Sequence, residues 1–151
     1  RHCVDHRFAL EVLNGPTFEN AGDGRLQSCD HPHATDSKMR SVNLESGRPT
    51  VDEARRRLLA AIDAARKSRV RVLKVIHGWG SSGEGGALGP AIRRSLRLRV
   101  KEGRAVAVVP GERFSSDTAE GRELLRRHPS MHSDRDFNRA NPGITIVALA
   151  P

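Results

Sequence analysis

Residues Val70 to Leu96, VRVLKVIHGWGSSGEGGALGPAIRRSL, decide the fold. Val70, Val72, Leu73, Val75 and Ile76 make an apolar run with few charges, the pattern of a central strand covered on its faces. The run ends on His77 and opens into a loop: Ile76 to Gly89 hold six of the chain's 14 glycines and its only tryptophan, Trp79. Pro90 then suits a first helical turn. Leu88, Ile92, Leu96 and Val100 line one side of the helix that follows, which predicts that Arg93, Arg94, Arg97 and Lys101 point outward. A strand that feeds a helix through a short loop is the unit of an α/β domain.

Working outward, Val42 and Leu44 alternate with Ser41, Asn43 and Glu45, a strand pattern closed by Gly47 and Pro49. Thr50-Val-Asp-Glu53 reads as a capping box, in which the Thr50 hydroxyl accepts from the Glu53 amide and the Glu53 side chain reaches back to the Thr50 amide. Val51, Ala54, Leu58, Ala61, Ile62 and Ala65 then recur at helical spacing. Downstream, Ala105 to Val109 read as a third strand stopped by Pro110-Gly111, and Gly143 to Leu149 as a fourth, reached through the Asn-Pro-Gly turn at 141–143. The order is strand, helix, strand, helix, strand, strand. Between the last two strands lies a polar, basic insert at about 112–140, with a short helix expected around Thr118 to Arg127. Its length marks it either as a solvated excursion or as a flap that contacts nucleic acid.

A chain of 151 residues with 36% hydrophobic and 3% aromatic residues builds one core, from aliphatic side chains. Scarce aromatics argue against base stacking on a sheet platform. Lys and Arg outnumber Asp and Glu by 26 to 18, for a net charge of +8, which favours a polyanionic partner. No stretch reaches the apolar length of a membrane span and no signal-peptide core precedes the first pattern, so a cytoplasmic protein without a membrane partner is expected.

Residues 1–38 differ from the rest. They hold four of the seven His and both Cys, Cys3 and Cys29, and show no sustained period. They carry four Lys/Arg and six Asp/Glu, so the basicity belongs to residues 39–151. Met39, the first methionine, stands where patterning begins, and residues 1–38 read as a disordered tail or an upstream extension. His2, Cys3 and His6 with Cys29, His31 and His33 could supply zinc ligands, but their spacing matches no common finger.

A glycine loop running into a helix N-terminus presents backbone N–H groups, backed by the helix dipole, to an anion. Gly78, Gly80 and Gly83 satisfy G-x-G-x-x-G, yet the late helix start and the short patterned chain argue against a dinucleotide fold. The Walker pattern fails, because Ala87 and Leu88 follow Gly86. His77, at a strand end, is placed for acid–base work or is a structural histidine. Trp79 either stacks on a base or anchors the loop.

Val75-Ile-His-Gly-Trp-Gly80, the glycine loop and Leu88-Gly-Pro-Ala-Ile92 together resemble the histidine-glycine-x-glycine motif and following helix of the Smr (small MutS-related) domain. Thr50-Val-Asp-Glu-Ala54 is similar to that family's first helix start, and Gly143-Ile-Thr-Ile-Val-Ala-Leu149 to its closing G-x-T-x-V strand. The resemblance spans about residues 41–149. It implies a two-layer α/β sandwich, a four-stranded mixed sheet backed by two helices, that binds DNA or RNA and in several members nicks or cleaves it. The family's first motif is Leu-Asp-x-His-Gly. The matching residues here are Leu44-Glu45-Ser46-Gly47-Arg48, so Glu45 takes the place of the acid and Gly47 that of the histidine.

Two functions follow from these residues. As an endonuclease, the chain would hold phosphate on Gly78, Trp79, Gly80, Ser81, Ser82 and Gly83, with Arg48, Arg93, Arg94 and Arg97 beside it. His77 would protonate the leaving oxygen, and Glu45 would orient the attacking group or a water on Mg²⁺ or Mn²⁺. As a binding module, it would keep the same grip without cleavage, since Gly47 cannot move a proton. A small enzyme using the loop for a nucleotide cofactor is a third class.

Overall fold

The structure is a computed structural model and describes residues 39–80 and 86–151. The boundary expected at residue 38, the six candidate zinc ligands, and Ser81, Ser82 and Gly83 lie outside the described residues. Strand β1 (Met39–Asn43) pairs in parallel with β2 (Val72–Ile76), Met39 opposite Val72 and Asn43 opposite Ile76. Helix α1 (Val51–Lys67) connects them. Helix α2 (Leu88–Lys101) then leads to β3 (Ala105–Pro110), and the last strand, β4 (Ile144–Leu149), inserts between β2 and β3. It runs antiparallel to both, giving the order β1-β2-β4-β3. The α/β class is as the pattern predicts, and the mixed four-stranded sheet is as the family resemblance implies.

Local chemistry accounts for the helices. Thr50 Oγ1 accepts from the Glu53 amide at 3.3 Å, Asp52 and Glu53 fill the first turn of α1, and Arg66 and Lys67 the last, each complementing the helix dipole. The other half of the capping box is absent: the Glu53 carboxylate pairs with Arg57 one turn on, not with the Thr50 amide. Ala54, Leu58, Ile62 and Ala65 form the buried stripe of α1. They pack with Ile92 and Leu96 of α2 on Leu73, Val75, Val147 and Leu149 of the sheet.

The second face of the sheet is covered too, which the two-helix sandwich did not include. The insert supplies that cover: a 3-10 turn at Gly111–Arg113, helix α3 (Ala119–Arg127) capped by the Thr118 hydroxyl, and a 3-10 turn at Pro129–Ser133. Phe114, Leu124 and Met131 are buried against Val72, Val109, Ile144, Ile146 and Ala148. Phe137 meets Phe114 edge-on, with ring centroids 5.3 Å apart. The insert is therefore a layer of the domain and not a solvated excursion. Strand β4, enclosed between the layers, has all six residues buried, as expected for a strand covered on both faces.

The candidate crevice at the end of strand β2

Strand β2 delivers His77 to the sheet's end, where Gly143 closes over it: the amides of His77 and Gly78 both donate to the Gly143 carbonyl, each at 3.0 Å. Sharing one acceptor demands a sharp turn, and Gly78 takes φ +69°, in the left-handed region that favours glycine. Gly78 also has the Glu45 carboxylate directly against its Cα, where a Cβ would stand. The Gly80 φ is +88°. The Gly86 amide donates to the Trp79 carbonyl at 3.1 Å, so the two described ends of the glycine loop meet. From there α2 begins after Ala87, which provides no side-chain cap, so the positive end of the helix dipole faces the crevice.

These elements enclose a cavity of about 220 Å³ lined by His77, Gly78, Trp79, Gly86, Gly89, Pro90, Arg93, Glu112 and Pro142. Trp79 stands half-exposed at its rim. Gly89 lets the first turn of α2 approach the His77 ring, with room for no more than a tight Cβ.

His77 is only 3% exposed and both of its ring nitrogens are occupied. Nδ1 lies 3.0 Å from the Gly78 carbonyl, which can only accept, so Nδ1 carries the proton. Nε2, 3.0 Å from Thr145 Oγ1, then accepts from the threonine hydroxyl, which itself accepts from Arg93 Nε at 3.4 Å. Burial, followed by the positive charge of Arg93, pushes the imidazole below its ordinary pKa, against the Gly78 hydrogen bond. The ring is neutral and held.

That depression has a consequence for stability. In the unfolded chain the imidazole titrates near 6.5, so below that value the unfolded state binds more protons than the native one. The contribution is fully present above about pH 6.5 and is lost as pH falls through the lower native value. Melting temperature should decline on acidification from about pH 6.5, and His77→Gln should decline less steeply. His128, lowered by burial and by Arg127 and Arg71, acts with the same sign in both proteins, so the difference between the two curves isolates His77.

Arg93 departs from its expected outward position. Its Nη2 donates to both oxygens of Glu112, at 3.0 and 2.8 Å, and to the Pro142 carbonyl at 2.9 Å. The first turn of α2 abuts the sheet's end, and the long side chain folds inward over β4 to acceptors that only the folded chain assembles. Arg94 and Arg97 are exposed as expected. Arg48 is exposed, with φ 47°, in the turn after β1. Gly47, in the same turn, has nothing within 4 Å of where a Cβ would stand. Thr145, Glu112 and Pro142 were not foreseen as site residues. Thr145 alone left a sequence signal, as the one polar residue of the apolar run Ile144–Leu149.

Among the described residues no group of three or more His, Cys, Asp or Glu could hold a metal ion. Glu45 and Glu112 provide one carboxylate each, and Glu112 is committed to Arg93. Among the described residues the donor set does not fit a resident Mg²⁺ or Mn²⁺. No helix among the described residues is long and apolar enough to cross a membrane.

The chain is similar to the Smr domain of Thermus thermophilus MutS2, whose crystal structure shares 25% identity with it over 74% of this chain and 99% of that one, with a TM-score of 0.47. No curated protein matches the chain. Residues 47–113 match the family model of the Smr domain. That segment runs from Gly47 through α1, β2, the glycine loop, α2 and β3 to Arg113, and so contains most of the crevice. Over residues 47–113, then, this chain is similar to the Smr domain.

Proposed function

We propose that this protein is a nucleic-acid-binding module whose crevice at the end of β2 holds a backbone phosphate. Smr domains as a family bind nucleic acids. The observation that carries the binding reading is the state of His77: neutral, buried, and engaged at both ring nitrogens by Gly78 and Thr145. Such a ring orients the loop beneath a ligand, while its one proton, on Nδ1, is held by the Gly78 carbonyl and its Nε2 by the Thr145 hydroxyl. The dipole at the start of α2 supplies the attraction for phosphate, Trp79 a surface for a base, and Arg94 and Arg97 contacts to neighbouring phosphates.

One observation favours the endonuclease reading: the Glu45 carboxylate lies against Gly78, the residue that follows His77 in the chain. Incubating the protein and its His77→Ala variant with supercoiled plasmid and a structured RNA, with and without Mg²⁺ or Mn²⁺, separates the two. A binding module retards nucleic acid in a gel and cuts nothing. Scission by the parent that disappears in His77→Ala would establish the nuclease instead.

The basic face of α2 gives a graded test. Reversing Arg94 and Arg97 together to glutamate should weaken binding at least about tenfold and reduce the slope of log K against log salt by about one per lost phosphate contact. Fluorescence anisotropy at several salt concentrations reads both. An unchanged slope would remove these two residues from the interface.

A further inference from the structure

The geometry points to the buried Lys74, Asp134 and Asp136 cluster, on the far face of the sheet, as the positioning device of the crevice. Lys74 is the charged residue of an otherwise apolar β2, 3% exposed and aimed into the insert layer. Its Nζ donates to the two oxygens of Asp134 at 2.7 and 3.0 Å and pairs with Asp136. Burial alone would raise the Asp136 carboxyl, but hydrogen bonds from Lys74 and Asn141 and the lysine charge hold it below the ordinary carboxylate range. A buried ion cluster of this kind is a poor way to gain stability, since well-packed apolar side chains serve as well or better. What it specifies is geometry.

The specified geometry is that of the 141–143 turn. Asn141 Nδ2 donates to Asp136 at 3.0 Å, while Asn141 Oδ1 accepts from the Gly143 amide at 2.9 Å. The Gly143 carbonyl receives the amides of His77 and Gly78, and the Pro142 carbonyl receives Arg93. Lys74 lies three residues before His77 on the same rigid strand. The connections therefore close a ring: Lys74 to Asp136, to Asn141, to Gly143, to His77, and back along β2. Because the turn is pinned from both sides of the sheet, the His77–Gly78 bend and the Arg93 guanidinium keep one arrangement, as a preorganised binding site requires. The cluster acts through the turn and touches no ligand. Its functional consequence rests on the crevice being the nucleic-acid site proposed above.

The test uses the full chain, with two variants. Lys74→Met removes the ammonium; Asn141→Ala cuts the ring while leaving the Lys74, Asp134 and Asp136 cluster intact, and so decides the matter even if Lys74→Met does not fold. Two quantities are read: the ligand-free NMR signals of the His77 ring and Gly78 amide, and the affinity for a labelled single-stranded oligonucleotide, as DNA and as RNA. Asn141→Ala is expected to melt near the parent temperature, yet to move the His77 and Gly78 signals and to lose about tenfold in affinity, the equivalent of one oriented hydrogen bond. His77 and Gly78 signals that stay at their parent positions, or an affinity that does not change, would overturn the positioning role. If the parent binds neither oligonucleotide, the functional reading fails on its own, and the ligand-free spectra still show whether the ring positions the turn.

Discussion

Phe114→Ala should lower the unfolding free energy by about 3–5 kcal/mol, the cost of removing a fully enclosed aromatic ring and leaving a cavity behind. Phe114 is 0% exposed and follows directly on the 3-10 turn that ends β3. Its ring joins Val109, Ile144 and Ile146 of the sheet to Leu124 and Met131 of the insert, with Phe137 against its edge. Truncation therefore removes contacts from both layers at once. Denaturant titration of the two proteins measures the difference, provided that the slope with denaturant stays the same. A loss below about 1 kcal/mol, ordinary for a surface position, would mean that the insert is a flap lying on the sheet and not a layer of the core.

Gly111→Ala should be nearly as damaging, for the opposite reason. A Cβ at Gly111 would overlap the backbone carbonyl of Asn141 and the side chain of Ile144. The Ile144 side chain has alternative rotamers, but the carbonyl belongs to a turn fixed by Asp136, Gly143 and Arg93. Relief can come only from moving the turn or the end of β3. Overpacking of this kind costs about 1–3 kcal/mol. Since the displaced turn carries the acceptor for the His77 and Gly78 amides, oligonucleotide affinity should fall along with stability. A variant that lost stability but bound as tightly as the parent would show that the turn and the crevice are mechanically separate.

The elements were legible wherever apolar spacing or a cap recorded them locally. The run from Val70 to Ile76 gave β2, and the stripe Ala54, Leu58, Ile62 and Ala65 gave α1, because each depends on residues a few positions apart. The insert's role was hidden by dilution: Phe114, Met131 and Phe137 are isolated among polar residues, and no local period shows that they converge on one face of the sheet. The site divides the same way. His77, Gly78 and Trp79 could be placed from the strand end and the glycines that follow. The inward turn of Arg93 could not, because its acceptors, Glu112, Pro142 and Thr145, lie between 19 and 52 residues away in the chain. Lys74 shows the same limit, since its partner Asp134 is 60 residues distant. In sequence it was merely an interruption of a strand, and only the fold reveals a buried ion cluster tied to the crevice.

The most direct measurement is a titration of isotope-labelled protein with a short single-stranded oligonucleotide, followed through the backbone amides and the Trp79 indole. If the crevice is the phosphate grip, the largest shifts should fall on Gly78, Trp79, Gly80, Gly86 and the first amides of α2, and should fade as salt is raised. Shifts confined to the outer face of the insert or to the open edge of β3, with the His77 loop unmoved, would contradict it and place the nucleic-acid surface on the opposite side of the sheet.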